Sequence, residues 1–217
     1  MPEPCPLCQF NNSKLFYRDE QRSYSRCPRC KLIFVSRNDL LSKKQEKARY
    51  DLHENNPEDE GYRNFLNQFL EPMIQRIGPP PLKGLDFGSG PDPVLSKMLE
   101  ARGYDMTLYD PYYAQNPIVL EKKYDFVTCT ETFEHFYHPG KEWELLYCLF
   151  KHGGWLGIMT QLVEDLQDFP DMHYITDMTH VTFYSRETFI YLAEKGNLHV
   201  EFEQDNLIFF QKQRMSK

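Results

Sequence analysis

Two apolar periodicities alternate along residues 83–212 of this 217-residue chain. Short β-branched and aromatic runs over Lys83 to Phe87, Tyr104 to Tyr109, Tyr124 to Thr130 and Trp155 to Thr160 predict strands. Between them, Pro93 to Arg102 carries Val94, Leu95, Met98 and Leu99 on one face, which predicts a helix. Lys141 to Lys151 predicts another, capped by His152-Gly153-Gly154. Pro111 to Lys123 has room for a short extended piece at Ile118 to Leu120 but not for a full helix and strand. Further on, Ser185 as N-cap with Thr188 as third helical residue starts a helix that stops at Gly196-Asn197. Leu198 to Glu203 and Leu207 to Gln211 flank the turn at Asp205-Asn206 and predict an antiparallel edge hairpin.

The first strand runs into Leu85-Asp86-Phe87-Gly88-Ser89-Gly90. Gly88 and Gly90 can take positive φ, and without Cβ atoms they let a ligand approach the backbone. The next strand ends at Tyr109-Asp110, where an acid accepts hydrogen bonds from ribose hydroxyls. A nicotinamide dehydrogenase uses a similar turn, but its fingerprint needs a third glycine where this chain has Pro93.

Length fits one α/β domain with a small attachment. Contents of 41% hydrophobic and 15% aromatic residues exclude global disorder. No run approaches ~20 apolar residues and no apolar signal segment opens the chain, so a cytoplasmic protein without a membrane span is expected. The net charge of −7 is divided unevenly: residues 1–50 hold eleven Lys/Arg against five Asp/Glu, +6, leaving −13 on the rest. A basic module on an acidic body keeps a nucleic-acid partner open.

That basic module contains Cys5-Pro6-Leu7-Cys8 and Cys27-Pro28-Arg29-Cys30, two CxxC pairs with eighteen residues between them. Tetrahedral zinc takes four thiolates, and each CxxC turn presents two. Strand-like stretches at Lys14 to Tyr17 and Ser23 to Arg26 lie between. Roughly 35 residues bury too little to fold alone, so the metal supplies stability. Four thiolates close the coordination shell, so the zinc is structural. A disulfide framework is disfavoured in a reducing cytosol. Cys129 and Cys148 fall in a predicted strand and helix and read as buried core residues.

Asn38 to Arg49 is a charged, helix-compatible connector. A helix from Gly61 to Ile77 follows, with Phe65 and Phe69 (or Leu66 and Leu70) together with Met73 on its packed face, and Gly78-Pro79-Pro80-Pro81 ends it. His53 to Arg63 precedes the glycine turn and could fold over it as a lid, with His53, Tyr62 and Arg63 as residues to test.

In order, Asp86-Phe87-Gly88-Ser89-Gly90, Tyr109-Asp110, Tyr124-Asp125 before a buried strand, Glu134-His135 and Lys151-His152-Gly153-Gly154 resemble class I S-adenosylmethionine-dependent methyltransferases. The resemblance spans residues 83–212 and is closest to small bacterial enzymes with an N-terminal four-cysteine zinc element. It implies a Rossmann-like α/β fold: a seven-stranded, mostly parallel sheet with an antiparallel edge hairpin, beside a small zinc ribbon. It further implies that Asp86, Gly88, Ser89 and Gly90 line the methionine end of the cofactor. Asp110 then holds the ribose, and Thr130 and Glu131 form the adjoining wall. The chain departs from the pattern at Asp92, where a glycine often continues the loop, and at Pro91 and Pro93, which stiffen it. The short stretch after Asp110 lacks the usual acid-bearing adenine loop, so Pro111, Tyr112 or Tyr113 supplies an apolar or stacking face.

The expected division is 1–37 zinc ribbon-like module, 38–81 helical connector and lid, and 82–217 cofactor-binding methyltransferase domain. Methyl transfer is an in-line displacement in which orientation supplies much of the rate. A protonated acceptor also needs a base. His180, in the insertion from Gln161 to Phe183, and His135 are the catalytic candidates, since histidine titrates near neutrality. Tyr174 and Tyr184 read as gating or core residues. A small-molecule acceptor is favoured. The alternatives are an RNA or protein methyltransferase that docks through the basic zinc module, and a non-catalytic cofactor-binding module.

Overall fold

The computed structural model describes residues 3–52 and 59–213. His53, part of the expected lid, lies outside the described residues. The N-terminal segment forms an antiparallel meander of β1 (Lys14–Arg18), β2 (Ser23–Arg26) and β3 (Ile33–Val35). The connector becomes α1 (Lys43–Tyr50), opened by a capping box in which the Ser42 N–H donates to Gln45 Oε1 at 3.0 Å. Next, α2 (Glu60–Ile77) is capped by Asp59, which accepts from the Tyr62 N–H at 3.1 Å. It buries Leu66, Phe69, Leu70 and Met73, so its apolar stripe is the second of the two registers read from the sequence, Leu66, Leu70 and Met73, joined by Phe69.

The main sheet follows from β4 (Lys83–Phe87), α3 (Val94–Glu100), β5 (Asp105–Tyr109), β6 (Tyr124–Thr130), α4 (Pro139–Leu149) and β7 (Phe150–Met159). Then come β8 (Thr182–Phe183), α5 (Arg186–Gly196), β9 (Leu198–Glu203) and β10 (Leu207–Lys212). Its order is β5-β4-β6-β7-β10-β9, parallel from β5 to β7 and antiparallel over β10 and β9. The mostly parallel sheet and edge hairpin are as expected, but the main sheet has six strands among the described residues, not seven. The missing strand belongs after Asp110. There the chain makes a tight bridge between Asp110 and Ala114 and then a 3-10 turn, Pro117–Glu121, where an extended piece was expected. Thirteen residues cannot supply a crossover and another strand, so β5 stays at the edge.

Two further expectations are corrected. His152-Gly153-Gly154 is no helix cap: α4 ends at Leu149 and β7 already runs through these residues, with its pairing shifted opposite Tyr124 to Phe126. Cys148 is exposed on α4, whereas Cys129 is buried as expected.

One sheet face packs against α2 and α3, joining Phe69, Met73, Leu95 and Leu99 to Phe126, Trp155 and Phe209. The other face gathers Trp143, Leu146, Phe189 and Leu192 over Val127, Ile158 and Phe210. Cys5, Leu7, Cys27, Cys30, Leu32 and Phe34 belong to this second core. The cysteine module is therefore built into the domain. The close approach falls at Gly140, where a Cβ would lie 2.7 Å from the Leu7 carbonyl oxygen. The module's sheet also gains a fourth strand from the distant insertion, with Ile33 opposite Phe183 and Phe34 opposite Thr182 in β3 and β8.

Candidate functional site

The glycine turn lies between the ends of β4 and β5. Gly88 and Gly90 take φ of 83° and 64°, as the sequence requires. At Gly88 a Cβ would press into Thr132 at 2.4 Å, whereas at Gly90 it would meet nothing within 4 Å. The loop is thus pinned at its first glycine and open at its second. Tyr109 O accepts from Gly88 N–H at 2.8 Å and from Ser89 N–H at 3.2 Å. Asp110 continues the anchoring, accepting at Oδ2 from Gly90 N–H at 3.0 Å and at Oδ1 from Tyr112 and Tyr113 N–H at 2.7 and 3.0 Å. A carboxylate offers about four acceptor positions, so three donors leave room for one more. The buried Ser89 Oγ has no hydrogen-bond partner among the described residues. Open space over Gly90, an unsatisfied hydroxyl and a spare acceptor position on Asp110 are the features a hydroxyl- and amine-bearing cofactor would satisfy.

Asp86 sits deeper than expected. Its carboxylate is buried and accepts from Ser96 Oγ at 2.8 Å and Thr128 Oγ1 at 2.9 Å. Burial raises its pKa to about 6, against the two hydroxyl bonds that lower it. Pro111 and Thr130 stand near the opening: Pro111 is exposed on the turn after Asp110, and Thr130 is half-buried at the end of β6. Glu131 follows in left-handed conformation, φ 47°, with its N–H on Met159 O at 2.8 Å. Its side chain reaches solvent, yet crowding by the surrounding walls and then repulsion from Glu134 push its carboxyl upward.

The two histidines come together although they lie 45 positions apart in the sequence. Their ring centroids lie 4.8 Å apart, and Glu134 is beside both. Glu134 is fully buried; its Oε2 accepts from Thr160 Oγ1 at 2.8 Å, and its Oε1 lies 4.0 Å from His135 Nε2. His135 Nδ1 is 3.1 Å from Thr179 O, and His180 Nδ1 is 2.7 Å from Tyr174 O. A carbonyl only accepts, so both Nδ1 atoms carry hydrogen. The Tyr174 ring lies 4.1 Å from that of His180, so this tyrosine packs within the cluster. Tyr184 is wholly buried with its hydroxyl on Phe133 O at 3.2 Å, which makes it core. Burial is the first cause that lowers the His180 pKa and the first that raises that of Glu134.

The loop bearing His180 is held from the N-terminal module. Buried Arg22 donates to His180 O at 2.9 Å and to Ile175 O. Sequence reasoning missed Arg22, because nothing local marks one arginine among the eleven basic residues of 1–50. It also missed Glu46 of α1, which accepts from Tyr112 OH at 2.7 Å and Tyr50 OH at 3.1 Å. Tyr50 in turn sets its ring perpendicular to His135 at 5.2 Å. The connector thus covers the short stretch after Asp110 and reaches His135. Tyr62 of α2 is half-buried, its hydroxyl pKa raised by burial and then by Asp86 and Glu131.

The four expected metal ligands also converge. Cys5 Sγ is 3.5 Å from Cys30 Sγ, as is Cys8 Sγ from Cys27 Sγ, and all four sulfurs lie within 4.8 Å. Four thiolates around zinc at ~2.3 Å lie ~3.8 Å apart, while a disulfide needs ~2.0 Å. The donors therefore fit a tetrahedral cation. The two knuckles repeat one geometry: Gln9 and Lys31 take φ of 58° and 66° and donate to Cys5 O and Cys27 O.

The profile of the "Methyltransferase domain" family matches residues 60–201, nearly two thirds of the chain. The chain belongs to the methyltransferase-domain family. Among solved structures, this methyltransferase is similar to an O-methyltransferase family protein from Burkholderia thailandensis, at 14% identity and TM-score 0.52. That alignment covers 79% of this chain and 64% of the other, less than two thirds of its length. A second is 1,6-didemethyltoxoflavin-N1-methyltransferase from the same organism, holding its namesake compound and S-adenosylhomocysteine; identity is 13%, TM-score 0.51, and 92% and 99% of the two chains are covered. A third, a SAM-dependent methyltransferase from Archaeoglobus fulgidus, shares 19% identity at TM-score 0.52 over 65% and 73%. These likenesses concern the fold. No curated protein matches the chain. Among the described residues, no helix is long and apolar enough to cross a membrane.

Proposed function

We propose that this methyltransferase binds S-adenosylmethionine at the Gly88–Gly90 turn and methylates a small molecule presented at the His135–His180 cluster. The observation that carries the reading is the join between the two. Thr132, two residues before Glu134, packs on Gly88 and donates to Thr130 O at 2.9 Å, so turn and cluster share one wall. The family membership supplies the reaction class. When bound, the cofactor offers a sulfonium methyl to an acceptor lone pair, and the C–S bond breaks with its electron pair returning to sulfur.

The chain's own residues bind and orient. Gly88, Ser89 and Gly90 accept the methionine end against their backbone, with Asp86 bracing the turn from below. Asp110 gives its remaining acceptor position to a ribose hydroxyl. Pro111 forms the exposed edge of the adenine side, and Thr130 and Glu131 form the wall towards the acceptor. At that far end the fixed Nδ1–H tautomer of His180 turns its Nε2 lone pair to the acceptor side, with the His135 ring beside it. His180 is the first candidate to take a hydroxyl or amine proton, since burial lowers its pKa and so favours the neutral ring. The four cysteines hold a structural zinc that fixes the module bearing Arg22. The parts 1–37, 38–81 and 82–217 serve as zinc ribbon, connector with cover, and cofactor domain, in a cytoplasmic protein.

The test is to incubate the protein with methyl-labelled S-adenosylmethionine and a fractionated cell extract. Label is expected in a low-mass compound, and Asp110→Ala should abolish it. Label confined to RNA or protein would overturn the small-molecule reading.

A further inference from the structure

The histidine cluster carries a feature that acid–base chemistry leaves unexplained. Glu134 Oε1 is buried without a hydrogen-bond partner among the described residues, on a side chain with no exposed surface. A carboxyl oxygen left unpaired in the interior is costly, and His135 Nε2 at 4.0 Å is beyond hydrogen-bond reach. A cation would satisfy it.

We propose that Glu134, His135 and His180 bind a divalent transition-metal ion that receives an oxygen of the methyl acceptor. One carboxylate oxygen and one ring nitrogen from each histidine lie within 4.8 Å of one another. Ligand atoms ~2.1 Å from a metal stand ~3–3.5 Å apart, so each side chain must move by less than about 1 Å to close the shell. The outer contacts are already those of a metal site. Each histidine donates Nδ1–H to a backbone carbonyl, which directs Nε2 to the metal, and Glu134 Oε2 is held by Thr160. Two imidazoles with one carboxylate favour zinc and its first-row neighbours over magnesium, and three protein ligands leave a position open.

This inference rests on the proposed methyl-transfer reading and narrows its acceptor to an oxygen nucleophile. The acceptor hydroxyl completes the shell and its proton leaves to water. The oxygen lone pair then forms the new C–O bond as the C–S bond breaks, its electron pair staying on sulfur. In this scheme His135 and His180 act on the acceptor through the ion they hold, which replaces the direct proton transfer to His180 proposed above.

The experiment counts metal. The full chain, Glu134→Gln and His180→Ala are dialysed against Zn2+, the bound zinc is quantified per chain, and each is titrated calorimetrically with S-adenosylmethionine. Two zinc ions are expected in the parent and one in each variant, the remaining one being held by the cysteines, with cofactor binding retained throughout. A parent that binds cofactor but holds zinc only through the cysteines overturns the inference, as does Glu134→Gln retaining as much zinc as the parent. Failure of the parent to bind cofactor would instead strike the methyl-transfer reading.

Discussion

The two halves of the proposed site are built in opposite ways. The cofactor half is built mainly from one continuous stretch, β4, a glycine turn and β5, in which Asp110 is anchored to neighbours at most twenty residues away. The end of β6 and the turn after it add Thr128 on Asp86 and Thr132 against Gly88. The acceptor half is assembled from four places. Arg22 comes from the N-terminal module, Tyr50 from the connector, Glu134-His135 from the turn after β6, and Tyr174 with His180 from the insertion. A locally built half depends on its own backbone geometry. An assembled half depends on whatever holds the distant pieces, which here includes the cysteine module. Damage to that module should therefore reach the acceptor side first and leave the turn intact.

The largest effect is expected from Cys27→Ser. Structural zinc contributes on the order of 10 kcal/mol of apparent binding free energy in small thiolate modules, comparable to the whole stability of a domain. Because β3 pairs with β8 and the cysteines share the main core, a large fall in melting temperature is expected, with hydrogen exchange spreading from residues 5–35 into 173–184. Protection of 173–184 equal to the parent's would separate the two regions.

Arg22→Ala is the finer version. It leaves one buried and one partly buried carbonyl without their donor, at about 1–3 kcal/mol for the buried one. With the loop of His180 released, kcat should fall on the order of tenfold or more if the reacting groups move by ~1 Å. Cofactor affinity, read by calorimetry, should stay within error; a matching loss of affinity would show that the halves are not separable in this way.

The smallest effect belongs to the cofactor half alone. Burial lifts the Asp86 carboxyl from its ordinary 3.8 to about 6, so the folded state holds this proton more tightly than the unfolded chain. The folded state thus binds more protons between those values, and this group's contribution to stability falls as pH rises from about 4 to 6. Asp86→Asn should flatten that fall in a pH series of melting temperatures. The opposite sign holds for Asp125, whose carboxyl Lys151 draws down at 2.6 Å, so its contribution is lost as pH falls through the acid range. It is half-exposed, and its effect should be near the ~1 kcal/mol limit of surface pairs.

The same contrast decides what was legible in the sequence. Gly88, Gly90 and Asp110 could be read because a positive φ and a strand-end acid are local requirements, written in neighbouring residues. The cysteine cluster was legible because the CxxC repeat states its own geometry. The absent seventh strand was half legible: Pro111 to Lys123 is visibly short, but the family pattern outweighed that in the strand count. Arg22, Glu46 and Tyr50 were not legible, since their roles exist only after chain segments tens to more than a hundred residues distant meet. His135 and His180 were found as types suited to the chemistry. Glu134, beside both in space, was noticed as part of a motif and not as their partner.

Calorimetric titration of S-adenosylmethionine into Asp110→Ala and His180→Ala tests the division most directly. Asp110→Ala removes the acceptor of three backbone N–H groups, and charge-assisted bonds of about 1.5–3 kcal/mol each make a loss on the order of 100-fold or more the expected result. His180→Ala should bind cofactor like the parent while losing turnover. Equal binding by the parent and Asp110→Ala, or lost binding in His180→Ala, would contradict the account.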